Sequence, residues 1–131
     1  MRTTILCLVL LVAAIETGCG GQPPQDNPCI PPVPRLDEMQ PTAAKSHSPS
    51  VLLTVRGSHF VRNAVVFFDG HAISTTYISA QELRSVVPFE LLLKVGPVNV
   101  DVFNPANDSS CPSFVTGMSQ ASNALVFTLA P

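Results

Sequence analysis

Val51-Leu-Leu-Thr-Val-Arg-Gly-Ser-His-Phe60 is the stretch that decides how this chain folds. Val51, Leu53 and Val55 alternate with Leu52, Thr54 and Arg56, the period of two that sets one face of a strand against a core. Gly57 is expected to stop that strand, with positive φ if the exit needs it, and Phe60 to plug the end of the core. Working outward, Ala64 to Phe68 is a continuous apolar run ended by Asp69-Gly70, a strong short-range hairpin signal. His71 to Ile78 carries the β-branched Ile73, Thr75, Thr76 and Ile78 and reads as one strand. Leu83 to Val87 stops at Pro88, which has no N–H for a ladder. Val98, Val100 and Val102 alternate with Asn99, Asp101 and Phe103 before the chain turns at Asn104-Pro105. Leu36 to Met39 opens the series and Leu125, Phe127 and Leu129 close it. Phe89-Glu-Leu-Leu-Leu-Lys94 alone has the leucines of a helical turn and is read as a short crossover. About seven short strands at intervals of roughly ten residues make an all-β, antiparallel sandwich.

Composition narrows the function classes. The 131 residues carry a formal net charge of −2, with 12% charged residues and 13 prolines, which argues against a helical bundle. No basic stripe exists to release counterions from nucleic acid, and no polybasic cluster to hold an anionic membrane. There is no Trp and only one Tyr, Tyr77, whereas sugar-binding surfaces usually rest on exposed Trp and Tyr.

The ordered set of motifs resembles the IPT/TIG family of immunoglobulin-like domains. The elements are Gly57-Ser58-His59-Phe60, Val65-Val66-Phe67-Phe68-Asp69-Gly70, Thr75-Thr76, Leu83, Val87-Pro88 and Gly96. They continue with Val98 to Val102, Asn104-Pro105 and Ser122-Asn123-Ala124. The resemblance implies an IPT/TIG β-sandwich over 34–131. His59 stands where the family usually has Asn, and the connection between Pro105 and Ser122, with Cys111 and Phe114, is longer than usual.

The N-terminus reads as an export signal. Arg2 and two threonines lead into the apolar run Ile5 to Ile15, then Glu16-Thr-Gly-Cys19. That apolar run is too short to span a bilayer. Thr17-Gly18-Cys19 resembles the lipobox of bacterial lipoproteins, which implies cleavage before Cys19 and a diacylglycerol on its sulfur. Glu16 occupies a position that is usually apolar, and the alternative is plain secretion with cleavage after Ala14. Of the four cysteines, Cys7, Cys19, Cys29 and Cys111, plain secretion leaves an odd number of thiols. Lipidation leaves the even pair Cys29 and Cys111. The expected organisation is a signal peptide over 1–18, a Gly/Pro-rich tether over 19–33 and the sandwich beyond. The tether, Gly20-Gly-Gln-Pro-Pro-Gln-Asp-Asn-Pro28 with Ile30-Pro-Pro-Val-Pro34, has too little apolar surface to bury a core.

In an immunoglobulin-like sandwich each strand reverses direction. Cys29 at the entry and Cys111 in the last long connection therefore fall at one end, and an exported protein can oxidise the pair. The chain-entropy model gives such a long loop about 4–5 kcal/mol. His47, His59 and His71 lack the paired spacing of zinc ligands, and no metal site or cofactor is expected. His59 is placed at the Cys111 end, with His47 and His71 opposite. No Gly-x-Ser-x-Gly elbow accompanies a His and an acid. Asp37 and Glu38, adjacent on a strand, are expected on opposite faces, and Asp69, Asp101 and Asp108 lack calcium-loop spacing. No catalytic residue is assigned, and the chain is read as a non-enzyme.

The functional expectation is a non-catalytic lipoprotein of the bacterial cell envelope, presenting its domain to an envelope or extracellular protein or serving as a structural or adhesive module. Its candidate binding loops hold Ser58, His59, Asn107, Asp108 and Phe114, because loops on a rigid sandwich can vary without harming the core. The alternative is a carbohydrate-binding accessory lipoprotein of a glycan-uptake system. Nucleic acid is not an expected partner.

Overall fold

The computed structural model describes residues 30–106 and 119–131. Ten strands lie among them: β1 (Arg35–Gln40), β2 (Ala43–Lys45), β3 (Ser50–Ser58), β4 (Val65–Phe68) and β5 (His71–Ala72) come first. They are followed by β6 (Ser74–Ser79), β7 (Glu82–Pro88), β8 (Gly96–Asn104), β9 (Gln120–Ala121) and β10 (Leu125–Ala130). One sheet runs β1-β3-β7-β6 and the other β2-β10-β8-β4-β5, with β9 continuing beside β8. The two sheets pack face to face as an immunoglobulin-like sandwich.

The alternation read from the sequence selects the core. Leu53, Val55, Leu83 and Val87 from the first sheet meet Val66, Phe68, Val100, Val102, Phe127 and Leu129 from the second, and all are essentially sealed from solvent. The rings of Phe68 and Phe127 meet edge-on with centroids 5.4 Å apart. Complete burial of one such side chain contributes about 1.5–3 kcal/mol. Phe60 is buried within this cluster.

Several local expectations are corrected. Gly57 does not end its strand; β3 continues to Ser58, and Gly57 does not have a positive φ. Glycine is needed there because a β-carbon would overlap the Arg35 carbonyl of β1 and press on the Phe60 ring. The stretch from His71 to Ile78 is not one strand. It breaks at the buried Ile73, where the chain leaves β5 in one sheet and enters β6 in the other. Thr75 secures that crossing: its hydroxyl donates to the Ile73 carbonyl at 2.9 Å and accepts from the Val66 N–H at 3.0 Å. The leucine-rich turn is only a 3-10 helix over Phe89–Leu91. Beyond the expected strands, β2 pairs in parallel with β10, so the second sheet is mixed. The hairpin at Asp69-Gly70 forms as expected, with φ of 51° and 76°, the left-handed pair that a tight hairpin requires.

Candidate functional site

One end of the sandwich collects the chain entry, the β3–β4 connection, the end of β8 and the start of β9. Two asparagines hold it together. Asn104, fully buried, donates from Nδ2 to the Pro32 carbonyl at 2.8 Å and to the His59 carbonyl at 2.7 Å. Its Oδ1 accepts the Val61 N–H at 3.4 Å. One side chain thus ties the chain entry at Pro32, the β3–β4 loop and β8 together. Asn123 pairs with both backbone groups of Leu36, accepting its N–H and donating to its carbonyl, each at 2.9 Å. Because Leu36 belongs to one sheet and Asn123 connects strands of the other, this pair pins the sheets together. Ser122 adds a bond from the Val102 N–H to its hydroxyl at 2.8 Å.

Ser58 and His59 sit on this frame. His59 has φ 62°, a left-handed backbone that Asn adopts more readily than His, which gives a physical reason for the family's usual Asn. The His59 ring is exposed while its carbonyl is held by Asn104. Among the described residues no side-chain bond of His59 replaces what Asn would offer, and the loop is held by Asn104. In the sequence Asn104, before Pro105, reads as a turn residue; its complete burial is visible only in the fold. Cys19, Cys29, Asn107, Asp108, Cys111 and Phe114 lie outside the described residues.

His47 and His71 lie at the end of the sandwich opposite His59, while Cys111 lies outside the described residues. His47 lies at the other end, where its N–H reaches the Leu92 carbonyl at 2.8 Å and its ring meets Phe89 edge-on at 6.5 Å. His71 is also there, with Nδ1 donating to the Asp69 carbonyl at 2.8 Å. Among the described residues no three His, Cys, Asp or Glu side chains gather as metal ligands would. Asp37 and Glu38 do not face opposite ways: a register shift between Leu36 and Glu38 exposes both. Each carboxylate meets an exposed arginine, Asp37 with Arg35 at 2.9 Å and Glu38 with Arg56 at 3.3 Å.

The outer faces carry features that strand alternation alone did not single out. On the first sheet Leu52 lies opposite Val86, 62% and 44% exposed. On the second, Phe67 lies opposite Asp101 and Val65 opposite Phe103. The Phe67 and Phe103 rings are 5.7 Å apart at a tilt of 60°. Partial burial among these groups pushes the Asp101 carboxyl above its usual pKa.

The sequence matches the IPT/TIG domain family over residues 34–128. The chain belongs to the IPT/TIG family. Among solved structures, the IPT/TIG chain is similar to the TIG domain of human nuclear factor of activated T-cells, cytoplasmic 4, at 19% identity and TM-score 0.48, over 76% of this chain and 89% of that one. An auxiliary nutrient binding protein from Bacteroides thetaiotaomicron VPI-5482 is 15% identical with TM-score 0.47, over 75% of this chain and 21% of its own. Another from Bacteroides ovatus ATCC 8483 is 17% identical with TM-score 0.46, at 75% and 21% coverage. This IPT/TIG chain therefore spans about a fifth of the length of those two Bacteroides proteins. No curated protein matches it.

Proposed function

We propose that this chain is a lipid-anchored, exported binding module without an active site, working in a bacterial cell envelope. Cys19 carries the lipid, residues 19–33 form the tether, and the IPT/TIG sandwich presents its tether-side end to an envelope or extracellular protein. The observation that supports this reading most is the Asn104 staple. It fixes the carbonyls of Pro32 and His59 on a buried side chain while leaving the His59 ring exposed. A rigid frame with exposed loop side chains suits recognition, because little ordering cost remains to be met on binding. The long connection bearing Asn107, Asp108 and Phe114 leaves and rejoins the sandwich at this end, next to Asn104 and Gln120.

The same staple brings together the described flanks of two cysteines. Pro32 follows Cys29 closely, and Asn104 leads toward Cys111, which favours a Cys29–Cys111 bridge. Non-reducing peptide mapping of protein purified without reductant should recover a linked pair that dithiothreitol separates. Recovery of both as free thiols contradicts the bridge.

The binding surface is tested with Phe114→Ala. The expected result is a melting temperature within about 2 °C of wild type, because a loop aromatic contributes little to the core. Capture of the native envelope partner should drop at least tenfold, as buried aromatics tend to dominate interface energy. A variant that melts early, without a separate binding defect, assigns Phe114 to packing and removes this surface. Turnover of any substrate by the purified protein, abolished by a single His or Asp substitution, would falsify the non-enzymatic reading.

A further inference from the structure

Antiparallel sheets of this kind normally turn polar side chains outward. The second sheet departs from that pattern. Val65 and Phe67 of β4, Phe103 of β8 and Val126 of β10 all point away from the core, Val126 being 56% exposed. In their midst stands one carboxylate, Asp101, directly across from Phe67. It is the only ionisable residue on β8, and β4, β9 and β10, which flank β8, carry none. No ion pair or side-chain hydrogen bond among the described residues includes its carboxylate. Lys45 lies on the edge strand β2 and Arg62 in the β3–β4 connection, and neither forms an ion pair with Asp101. Arg35, Arg56, Arg84 and Lys94 bind other carboxylates, and residues 107–118 contain no Lys or Arg.

A carboxylate that is partly buried and meets no cation among the described residues is complementary to a cation brought from outside. The surroundings select which cation. Two phenyl faces favour a planar, weakly hydrated guanidinium, which can bond a carboxylate through its edge and lie on an aromatic ring through its face. An ammonium group holds its water more strongly and has no flat face. The apolar border of Val65 and Val126 calls for apolar side chains on either side of the cation. The 60° tilt between the Phe67 and Phe103 rings does not give a sugar one flat platform.

We propose that this face docks a polypeptide segment presenting an arginine between apolar side chains, its guanidinium against the Asp101 carboxylate and over the Phe67 and Phe103 rings. The assignment rests on the reading of the chain as a binding module but uses a different surface from the tether-side loops. Phe114→Ala and Asp101→Asn therefore report on the two separately.

The test is an NMR titration of the purified full chain with acetyl-Val-Arg-Val-amide. The same peptide with citrulline in place of arginine serves as a neutral isostere, and cellotriose as a sugar probe. The arginine peptide should move the resonances of Phe67, Asp101 and Phe103 at millimolar concentration. The citrulline peptide should bind at least about tenfold more weakly, and Asp101→Asn should make the two peptides equal. Phe67→Ala should weaken the arginine peptide without restoring the citrulline one. Equal binding of both peptides to wild type, shifts confined to other surfaces, or a response of these residues to cellotriose alone overturns the proposal. The comparison of peptides on wild-type protein stands even if a variant folds poorly.

Discussion

Single side chains do two opposite things in this molecule. Asn104 satisfies three backbone groups and Thr75 two, so they hold connections that no strand ladder reaches. Asp101 does the reverse, placing a carboxylate where partial burial raises its pKa above the usual 3.8. The folded state then binds that proton more tightly than the unfolded chain. Stability falls as pH rises through the interval from the unfolded to the folded pKa, and the cost is fully present above it. Asp101→Asn should therefore be more stable than wild type at pH 7, with the gap closing below the unfolded value. Urea denaturation of both proteins from pH 3 to pH 7 measures this, and a gap independent of pH contradicts it. A charge that weakens the fold is the kind of feature expected where binding is served.

Strands were legible where the period of two runs unbroken. Val51 to Val55 and Val98 to Val102 place their buried residues as the alternation requires. The pattern fails where the backbone changes register or sheet. The shift after Leu36 lets residues three apart, Leu36 and Met39, both be buried, and it turns two acids outward together. The break at Ile73 hides inside a β-branched run because β propensity is the same on either side of a sheet switch. Strands β2 and β9, three and two residues long, are too short to show any period and exist through pairing with β10 and β8. Gly57 was legible as important, but its reason lies in the neighbouring strand. Gly57→Ala should push β1 off β3 at the Arg35 carbonyl and destabilise the domain by about 2–3 kcal/mol, read from the urea midpoint at unchanged slope. An effect below 0.5 kcal/mol contradicts the close approach.

At the scale of the whole molecule, the sandwich is a carrier for two surfaces with different origins. The end at the chain entry depends on loops locked by asparagines, while the second sheet's outer face depends on the side chains of its strands. The loops could be named from the sequence because the motif order, the unusual His59 and the lengthened connection all stand out in it. The face could not, since Phe67, Asp101 and Phe103 look like ordinary strand residues until pairing shows that no other ionisable group stands near Asp101 on β8 or the strands beside it. In the proposed reading both surfaces acquire their meaning from where the domain is held. Export and tethering at Cys19 is the central claim, because it sets the compartment in which the cysteine pair can oxidise and the partners the domain can meet. The direct measurement is the N-terminal peptide of the protein recovered from its native membranes. The account predicts a mature chain beginning at Cys19 with a diacylglycerol on its sulfur, and labelling by a palmitate analogue that Cys19→Ser abolishes. A mature N-terminus at Ile15 with an unmodified Cys19 contradicts it.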